Sequence, residues 1–204
     1  MTAREARKAA ARGAAQIAVA PMLLSFAVRS ALCGRDRALH ASTQLLALIP
    51  GIAGQYVRRA YLSRTIAACH ETVVVEFGTT ISRAGTRLDA NVYIGPGCHL
   101  GLVHVERDVM IAAGVHVPSG SRTHRIDDLS RPIREQPRAE RQVRIGAGSW
   151  IGAAAVVMAD VGEDTVVGAG AVVTRPLPAR CVAAGAPARV LRFRYDEGEA
   201  ARAV

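Results

Sequence analysis

Aromatic residues are scarce in this 204-residue chain, which has one Trp, four Tyr and three Phe although half of its residues are hydrophobic. A bulky globular core of ordinary composition would hold more Phe and Trp. The deficit therefore argues against a large aromatic core and favours a thin interior filled by Val, Ile, Leu and Ala. The length fits one modest domain with extensions.

Closely paired cysteines are also lacking. The four cysteines are Cys33, Cys69, Cys98 and Cys181, and none of them forms a Cys-x-x-Cys pair. We interpret them as four reduced thiols of a cytoplasmic protein.

Acidic residues are in the minority, with 17 Asp and Glu against 26 Lys and Arg, and the formal net charge is +9. A basic surface favours an anionic partner such as nucleic acid, acidic lipid or a phosphorylated cosubstrate. The arginines do not interleave with aromatic residues, and no recognised nucleic-acid motif is present. The sequence therefore predicts no nucleic-acid partner.

The N-terminal region has no charge for sixteen residues, 13–28, and Pro21 interrupts this stretch. The stretch is shorter than the ~20 residues that span a bilayer, and no convincing small-x-small cleavage site follows it. Two interpretations stay open. Residues 1–30 either form a helix packed on the protein or a neighbouring subunit, or form a basic amphipathic helix lying on a membrane surface.

What the chain does contain is a six-residue repeat of aliphatic positions, several of them followed by Gly. The repeat positions are Leu88, Ile94, Leu100, Val105, Ile111, Val117, Ile145, Ile151, Val161, Val167 and Val173. A helix repeats near 3.6 residues and an ordinary strand alternates at two, so neither explains a sustained six. A period of six with Gly after the aliphatic residue is typical of a parallel β-helix, in which three hexads make one triangular coil.

The same frame predicts where each side chain of the coil lies. The aliphatic residue points into the prism, and the residue four positions later is small or β-branched, as at Cys98 and Ala155. Gly or Asn at a corner accepts a positive φ at low cost. A thin prism of this kind also explains the shortage of aromatic residues.

Three regions follow from this pattern. Residues 1–68 are predicted to be a helical extension with a break at 49–51, residues 73–194 the β-helix, and residues 195–204 a C-terminal tail. The four-residue step from Val157 to Val161 is interpreted as a two-residue deletion at one corner.

The repeat stops at Pro118, and residues 119–142 contain no hexad. Arginines and prolines are concentrated there. Long excursions from a regular solenoid are usually functional or disordered, and this one leaves at a corner from which it can cover a neighbouring groove.

Three motifs carry a resemblance to a known family: residues 149–152, residues 167–175 and residues 184–190, the last reading Ala-Gly-Ala-Pro-Ala-Arg-Val. Over residues 73–194 the chain resembles the hexapeptide-repeat O-acetyltransferases, which include galactoside, maltose and serine acetyltransferases. The leader, at residues 42–51 and 56–60, looks most like acyltransferases of cell-surface polysaccharide pathways.

The resemblance implies a homotrimer of left-handed β-helices with acetyl-CoA bound in the groove between two prisms. It places the general base on His124, where the family often has a following proline and this chain has Arg125. Asp127 or Asp128 would orient the imidazole. Imidazole suits proton removal from a hydroxyl at neutral pH, and an activated thioester requires no metal.

The resemblance also implies a set of donor-binding residues. Backbone groups at Ala153 and Ala169 would bond the pantetheine arm. The residues that would meet the phosphates of the adenosine part are Thr174, Arg175, Arg189 and Arg192. Arginine suits this role because its planar fork binds phosphate through two hydrogen bonds.

The expected function is therefore acetyl-CoA-dependent O-acetylation of a sugar or cell-surface glycan precursor, in the cytoplasm or at the inner face of the membrane. The acceptor and the length of the acyl group stay open. The alternatives are N-acetylation of an amino sugar, a non-catalytic β-helix scaffold, and a γ-type carbonic anhydrase using His99 and His104. The anhydrase is disfavoured because no third histidine is suitably placed.

Overall fold

The computed structural model describes residues 2–194. The predicted tail at residues 195–204 lies outside the described residues. The chain begins with three helices, α1 (Ala3–Cys33), α2 (Arg35–Ala47) and α3 (Gly51–Thr65).

Local signals set the helix boundaries. Thr2 and Glu5 form a capping box at the start of α1, because each side chain accepts a hydrogen bond from the backbone N–H of the other. Pro50 precedes α3 at the predicted break. A second break, at Gly34 with φ 85°, was not predicted, since Gly34 is an isolated glycine in an otherwise helical pattern.

Helices α2 and α3 cover the first coil of the prism. Leu39, Leu46 and Tyr61 are fully buried there. The guanidinium of Arg58, a residue only 2% exposed, donates to the carbonyl of Val75 at 2.9 Å and to those of Leu46 and Ile49. Carbonyl oxygens accept from its Nε and Nη1 atoms and offset part of the cost of burying the charge, whereas its buried Nη2 has no hydrogen-bond partner within residues 2–194. These contacts tie the helix turn to the prism.

Helix α1 packs on α2 and α3 through one face only. Val19 and Phe26 are buried, whereas Ile17, Leu24 and Leu32 are at least 70% exposed. By length and composition alone, Glu5–Cys33 could also cross a membrane. The sequence analysis predicted the opposite, because the uncharged stretch at residues 13–28 is shorter than a bilayer span. The packed face supports the interpretation in which the helix lies on its own protein, and the outer face stays apolar.

The solenoid consists of short strands separated by tight turns. In chain order the strands are β1 (Ala68–Cys69), β2 (Val74–Val75), β3 (Thr80–Ile81), β4 (Arg87–Leu88), β5 (Tyr93–Ile94), β6 (His99–Leu100), β7 (Val103–Val105), β8 (Met110–Ile111), β9 (His116–Val117), β10 (Val143–Ile145), β11 (Trp150–Ile151), β12 (Val156–Val157), β13 (Val166–Val167), β14 (Val172–Val173), β15 (Cys181–Ala184) and β16 (Arg189–Phe193). The first strand lies ahead of the predicted start at residue 73.

These strands form the three faces of a parallel β-helix, as the repeat predicts, and the helix is left-handed, as the family resemblance implies. Face A holds β1, β4, β7 and β10 in that order, and face C holds β3, β6, β9, β12 and β14. Face B runs from β2 through β5, β8, β11 and β13 to β15, where antiparallel β16 closes the last coil.

The register confirms the predicted irregularity near residue 160. Ile151 pairs with Val167, sixteen residues later, and Val161 bridges Ile145 at the same spacing. The missing residues are therefore absorbed at the corner between Val157 and Val161, and the inward aliphatic positions stay aligned.

Each corner uses two special positions for two different reasons. The glycine directly after the inward aliphatic residue has an ordinary φ, but it faces the backbone of the next coil. A Cβ on Gly95 would lie 2.8 Å from the carbonyl carbon of Ala112. The positive φ falls two residues later, at Gly97 with φ 69°. The repeated glycine is thus required for close approach between coils, whereas the sequence pattern suggested only a conformational reason.

We expect Gly95→Ala to destabilise the prism more than Gly97→Ala, although both change the same corner. The first adds a methyl group against backbone that has to move, which costs about 1–3 kcal/mol. The second places alanine in the left-handed region without a close contact, which costs about 1–2 kcal/mol. Chemical denaturation of the two variants checks the order, and a larger loss for Gly97→Ala would contradict it.

Candidate active site

The excursion between β9 and β10 is an ordered loop with its own polar centre. The backbone N–H of Arg141 donates to the carbonyl of Ser119 at 2.9 Å and closes the neck. Gln136 is only 6% exposed, and its amide bonds the carbonyls of Asp128 and Arg131. A short 3₁₀ helix, Ile133–Glu135, precedes this glutamine. These bonds hold the loop in one conformation. A charged and fully solvated segment would have no such internal contacts.

Ion pairs attach the loop to the prism. Arg83 donates to both carboxylate oxygens of Glu140, and both side chains are only one fifth exposed. This hydrogen bonding lowers the pKa of Glu140 and raises the pKa of Arg83. Arg141 forms a second two-pronged pair with Asp160 at 2.9 and 3.0 Å.

The loop borders an open cavity of about 590 Å³ against face C. Face C contributes the outward residues Thr80, His99, His116 and Val156, the loop contributes Thr123 and His124, and the helical region contributes His40. His116 directly precedes the inward Val117 on β9 and therefore points outward, onto the cavity wall. The sequence analysis did not predict His40 or His99 there, but the pairing of His99 with His116 follows from the register of successive coils.

His124 lies in this cavity in a half-buried position. Its Nδ1 atom is buried and has no hydrogen-bond partner among residues 2–194. A buried ring nitrogen without a partner is costly unless a ligand supplies one. The geometry therefore leaves this imidazole free to exchange a hydrogen bond with a molecule in the cavity.

Neither predicted orienting carboxylate bonds His124. Asp127 pairs with Arg125 at 3.2 Å, and Asp128 accepts from the backbone and hydroxyl of Ser130. The expected contact from Asp127 or Asp128 is thus not found within the described part of the chain. Arg125, which stands where the resembled acetyltransferases often have proline, pairs with the Asp127 carboxylate instead.

A second imidazole in the cavity is held in a defined environment. His99 Nδ1 lies 2.8 Å from the hydroxyl of Thr80, and its ring centroid lies 4.8 Å from that of His116. Burial lowers the pKa of His99, and the neighbouring His116 and His40 lower it further. His99 is therefore held in its neutral form over more of the physiological pH range than an exposed histidine.

His99 and His104 do not form a metal pair. His104 lies on face A, where its Nε2 is 3.0 Å from Asp89, whereas His99 lies on face C. Within residues 2–194, no group of three potential ligands is arranged to hold a metal ion. The geometry gives no support to the anhydrase alternative.

The residues expected to meet the donor lie toward the C-terminal end of the prism. Ala153 and Ala169 are exposed at one corner in successive coils, where the N–H of Gly170 donates to the carbonyl of Ala153 at 2.8 Å. The N–H groups of Ala153 and Ala169 themselves have no partner within the described residues. They form a short ladder of free donors at the surface.

The four predicted phosphate-binding residues are all exposed: Thr174, Arg175, Arg189 and Arg192. Thr174 and Arg175 directly follow β14, while Arg189 and Arg192 lie on β16. The N–H of Ala188 donates to the carbonyl of Val172 at 2.8 Å, which brings the two segments together. No ion pair within residues 2–194 occupies the three arginines.

Face B carries an apolar stripe that the helices leave uncovered. Tyr93, Met110 and Trp150 pair in register on neighbouring strands, and they are 36%, 48% and 48% exposed. Exposed apolar side chains grouped in this way typically mark a binding surface.

Comparisons with known proteins agree with this architecture. The family described as "Hexapeptide repeat of succinyl-transferase" matches residues 142–175. A protein named "probable acetyltransferase" of Mycobacterium tuberculosis is 39% identical over 39% of this chain and 27% of its own length. Galactoside O-acetyltransferase of Lactococcus lactis is 32% identical over 53% of this chain and 59% of its own length. The chain thus spans less than two thirds of the length of these curated relatives.

Solved structures show the same fold. A maltose O-acetyltransferase from Clostridium difficile superposes with a TM-score of 0.67 at 21% identity, over 78% of this chain and 86% of the other. A galactoside acetyltransferase in complex with coenzyme A gives a TM-score of 0.63 at 21% identity, over 82% and 86%. The chain thus shares its fold with these acetyltransferases, and part of its sequence is similar to the curated relatives.

Proposed function

We propose that the protein is an acetyl-CoA-dependent O-acetyltransferase that acts on a hydroxyl of a sugar or glycan precursor. The observation that carries the proposal is the buried and partnerless Nδ1 of His124 in a cavity beside the prism. The similar galactoside acetyltransferase structure, named as a complex with coenzyme A, supports the donor. The names of the galactoside and maltose relatives support a sugar hydroxyl as the acceptor.

The chemistry needs one base and one oxyanion donor. As the acceptor oxygen attacks the thioester carbonyl, its proton passes to the imidazole of His124. The tetrahedral intermediate then collapses, the C–S bond breaks, and the imidazolium returns the proton to the CoA thiolate. An unpaired N–H at a prism corner, of the kind found at Ala153, would stabilise the oxyanion.

Replacing His124 with Ala should lower kcat by roughly 10²–10⁴-fold and leave acetyl-CoA affinity unchanged, because the base acts only on the acceptor. His116→Ala, in the same cavity, is the matched control and should lower kcat by less than about tenfold, since the proposal gives it no proton to transfer. Thiol release from acetyl-CoA is the measurement. Near-parental activity of His124→Ala would remove this residue from the mechanism.

The donor phosphates are proposed to bind at the C-terminal end of the prism. The free N–H ladder at Ala153 and Ala169 suits the amide-bearing pantetheine arm. Arg175, Arg189 and Arg192 are exposed and have no ion pair among the described residues, so their guanidinium groups are available for phosphates.

The double variant Arg175→Ala/Arg189→Ala should raise the KM for acetyl-CoA by at least about tenfold, because charge-assisted bonds to phosphate are lost. The defect should shrink with a donor lacking the 3′-phosphate. The control for a general loss of positive charge is Arg107→Ala, because Arg107 lies on another corner and is 73% exposed. An equal defect with both donors would place the 3′-phosphate elsewhere.

The protein is further proposed to act as a homotrimer. A single prism offers flat faces, and the stripe of Tyr93, Met110 and Trp150 leaves apolar area open to solvent. Parallel packing of prisms around a threefold axis would bury such stripes and create grooves long enough for CoA.

Light scattering should give about three times 21.5 kDa. Met110→Glu should shift the protein towards monomer and reduce activity, because it places a charge in the buried stripe. Arg87→Glu, at an exposed position of the charged face A, is the control and should leave the trimer intact. A fully active monomer would overturn the shared-groove arrangement.

The outer face of α1 is proposed to rest on the cytoplasmic surface of an anionic membrane. Its exposed side chains include Ile17, Leu24 and Leu32, and basic residues precede the apolar stretch. An apolar face flanked by basic residues binds anionic interfaces. This arrangement would bring the enzyme to membrane-linked glycan precursors.

The full chain should co-sediment with phosphatidylglycerol vesicles, and added salt should weaken the association. Ile17→Glu/Leu24→Glu should abolish it, because the charges oppose insertion of the apolar face. Leu129→Glu, at a fully exposed loop position, is the control. Unchanged sedimentation of the double variant would leave α1 without a role in membrane contact.

A further inference from the structure

A second cavity, of about 1150 Å³, adjoins the His124 cavity. The two share His40, Arg83, Arg138 and Glu140 in their walls. The larger cavity continues to the elbow between α1 and α2, where residues 33–37 form its far side. A ligand with its reacting group beside His124 can therefore extend into this space without leaving the protein surface.

The larger cavity has an excess of positive charge. Four arginines line it, namely Arg35, Arg37, Arg83 and Arg138, against the two carboxylates of Asp36 and Glu140. The uncapped start of α2 at Gly34 adds to the positive field at the same wall.

Internal pairing occupies only two of these guanidinium groups. Arg83 is held by Glu140. Arg35 donates to the carbonyl of Thr65 at 3.2 Å and lies over the ring of Phe26.

The other two arginines retain most of their hydrogen-bonding capacity. Arg138 has only a 3.5 Å contact to Glu140 and is 60% exposed. Arg37 has no hydrogen bond or ion pair to any residue in the described range 2–194. Arg37 and Arg138 are therefore the groups available for an anionic ligand.

The position of this cavity separates it from the proposed donor site. On face C the order is β3, β6, β9, β12 and β14. Arg83 follows β3 at one end, the His124 cavity spans β3 to β12, and Arg175 follows β14 at the other end. With about 4.8 Å between neighbouring strands, the two ends lie roughly 19 Å apart. The base thus lies between two separate sets of arginines.

We propose that the Arg37–Arg138 cavity binds an anionic group of the acceptor, a phosphate or a carboxylate, while the hydroxyl to be acetylated lies at His124. The inference rests on the proposed function and adds the acceptor's charge to it. Guanidinium groups suit both anions because their planar donors match paired oxygens. A neutral sugar would leave these arginines without partners.

The test uses three probes with the same kind of ring: methyl glucoside, glucose 1-phosphate and glucuronate. Calorimetric titration should show that both charged probes bind the full-length protein at least about tenfold more tightly than methyl glucoside. Arg37→Gln/Arg138→Gln should abolish that preference, and Arg107→Gln should retain it. The phosphate and carboxylate probes also show which anion the cavity favours.

Three results would overturn the inference. One is an unchanged preference for charged probes in the double variant. Another is a weaker affinity of the double variant for acetyl-CoA, which would make the cavity a donor site. The third is the absence of any preference in the parent protein. If the double variant does not fold, as judged by its thermal unfolding, the single variants Arg37→Gln and Arg138→Gln carry the same comparison. Anion binding at the cavity without thiol release from acetyl-CoA would refute the proposed function alone.

Discussion

The close approach of successive coils at the corners is the constraint on which the rest of the structure depends. At Gly95 and Gly152, a side chain would meet the backbone of the next coil at 2.5–2.8 Å. Because these contacts are backbone against backbone, they set the coil spacing and the register together. The aliphatic residues then stack in line, and Ile94, Ile111 and Ile151 are completely buried. A thin prism of small and aliphatic residues follows without an aromatic core.

A fixed register also sorts the outward residues into chemically different faces. Position by position, face A gathers charged residues such as Arg87 and Arg144, face B gathers Tyr93 and Trp150, and face C gathers histidines. Because neighbouring strands lie about 4.8 Å apart, residues sixteen or more positions apart in sequence become direct neighbours. A single repeat thereby produces a polar face, an apolar stripe and a candidate active-site wall.

The repeat was predictable from the sequence because every hexad must place an aliphatic side chain at the same inward position. The excursion at 119–142 was predictable for the opposite reason, since the pattern stops there. Its internal shape was not, because it depends on a single buried amide, Gln136, and on partners fixed only after folding. The same limit applies to His40, which reaches the cavity from the helical extension. Pairings that involve a non-repeating segment leave no periodic signal.

One ion pair joins the loop of the site to the prism. Arg83 belongs to the first coil and borders both cavities, and Glu140 belongs to the loop that carries His124 and Arg138. Since Arg83 lowers the pKa of Glu140, the carboxylate stays ionised throughout the neutral range and the pair persists there. His124, the proposed base, and Arg138, one of the two proposed anion-binding arginines, are therefore carried by a loop that is fixed at one point. An acceptor held by its charge would present its hydroxyl to His124 at a distance set by the protein, and that is the geometric condition for efficient proton transfer.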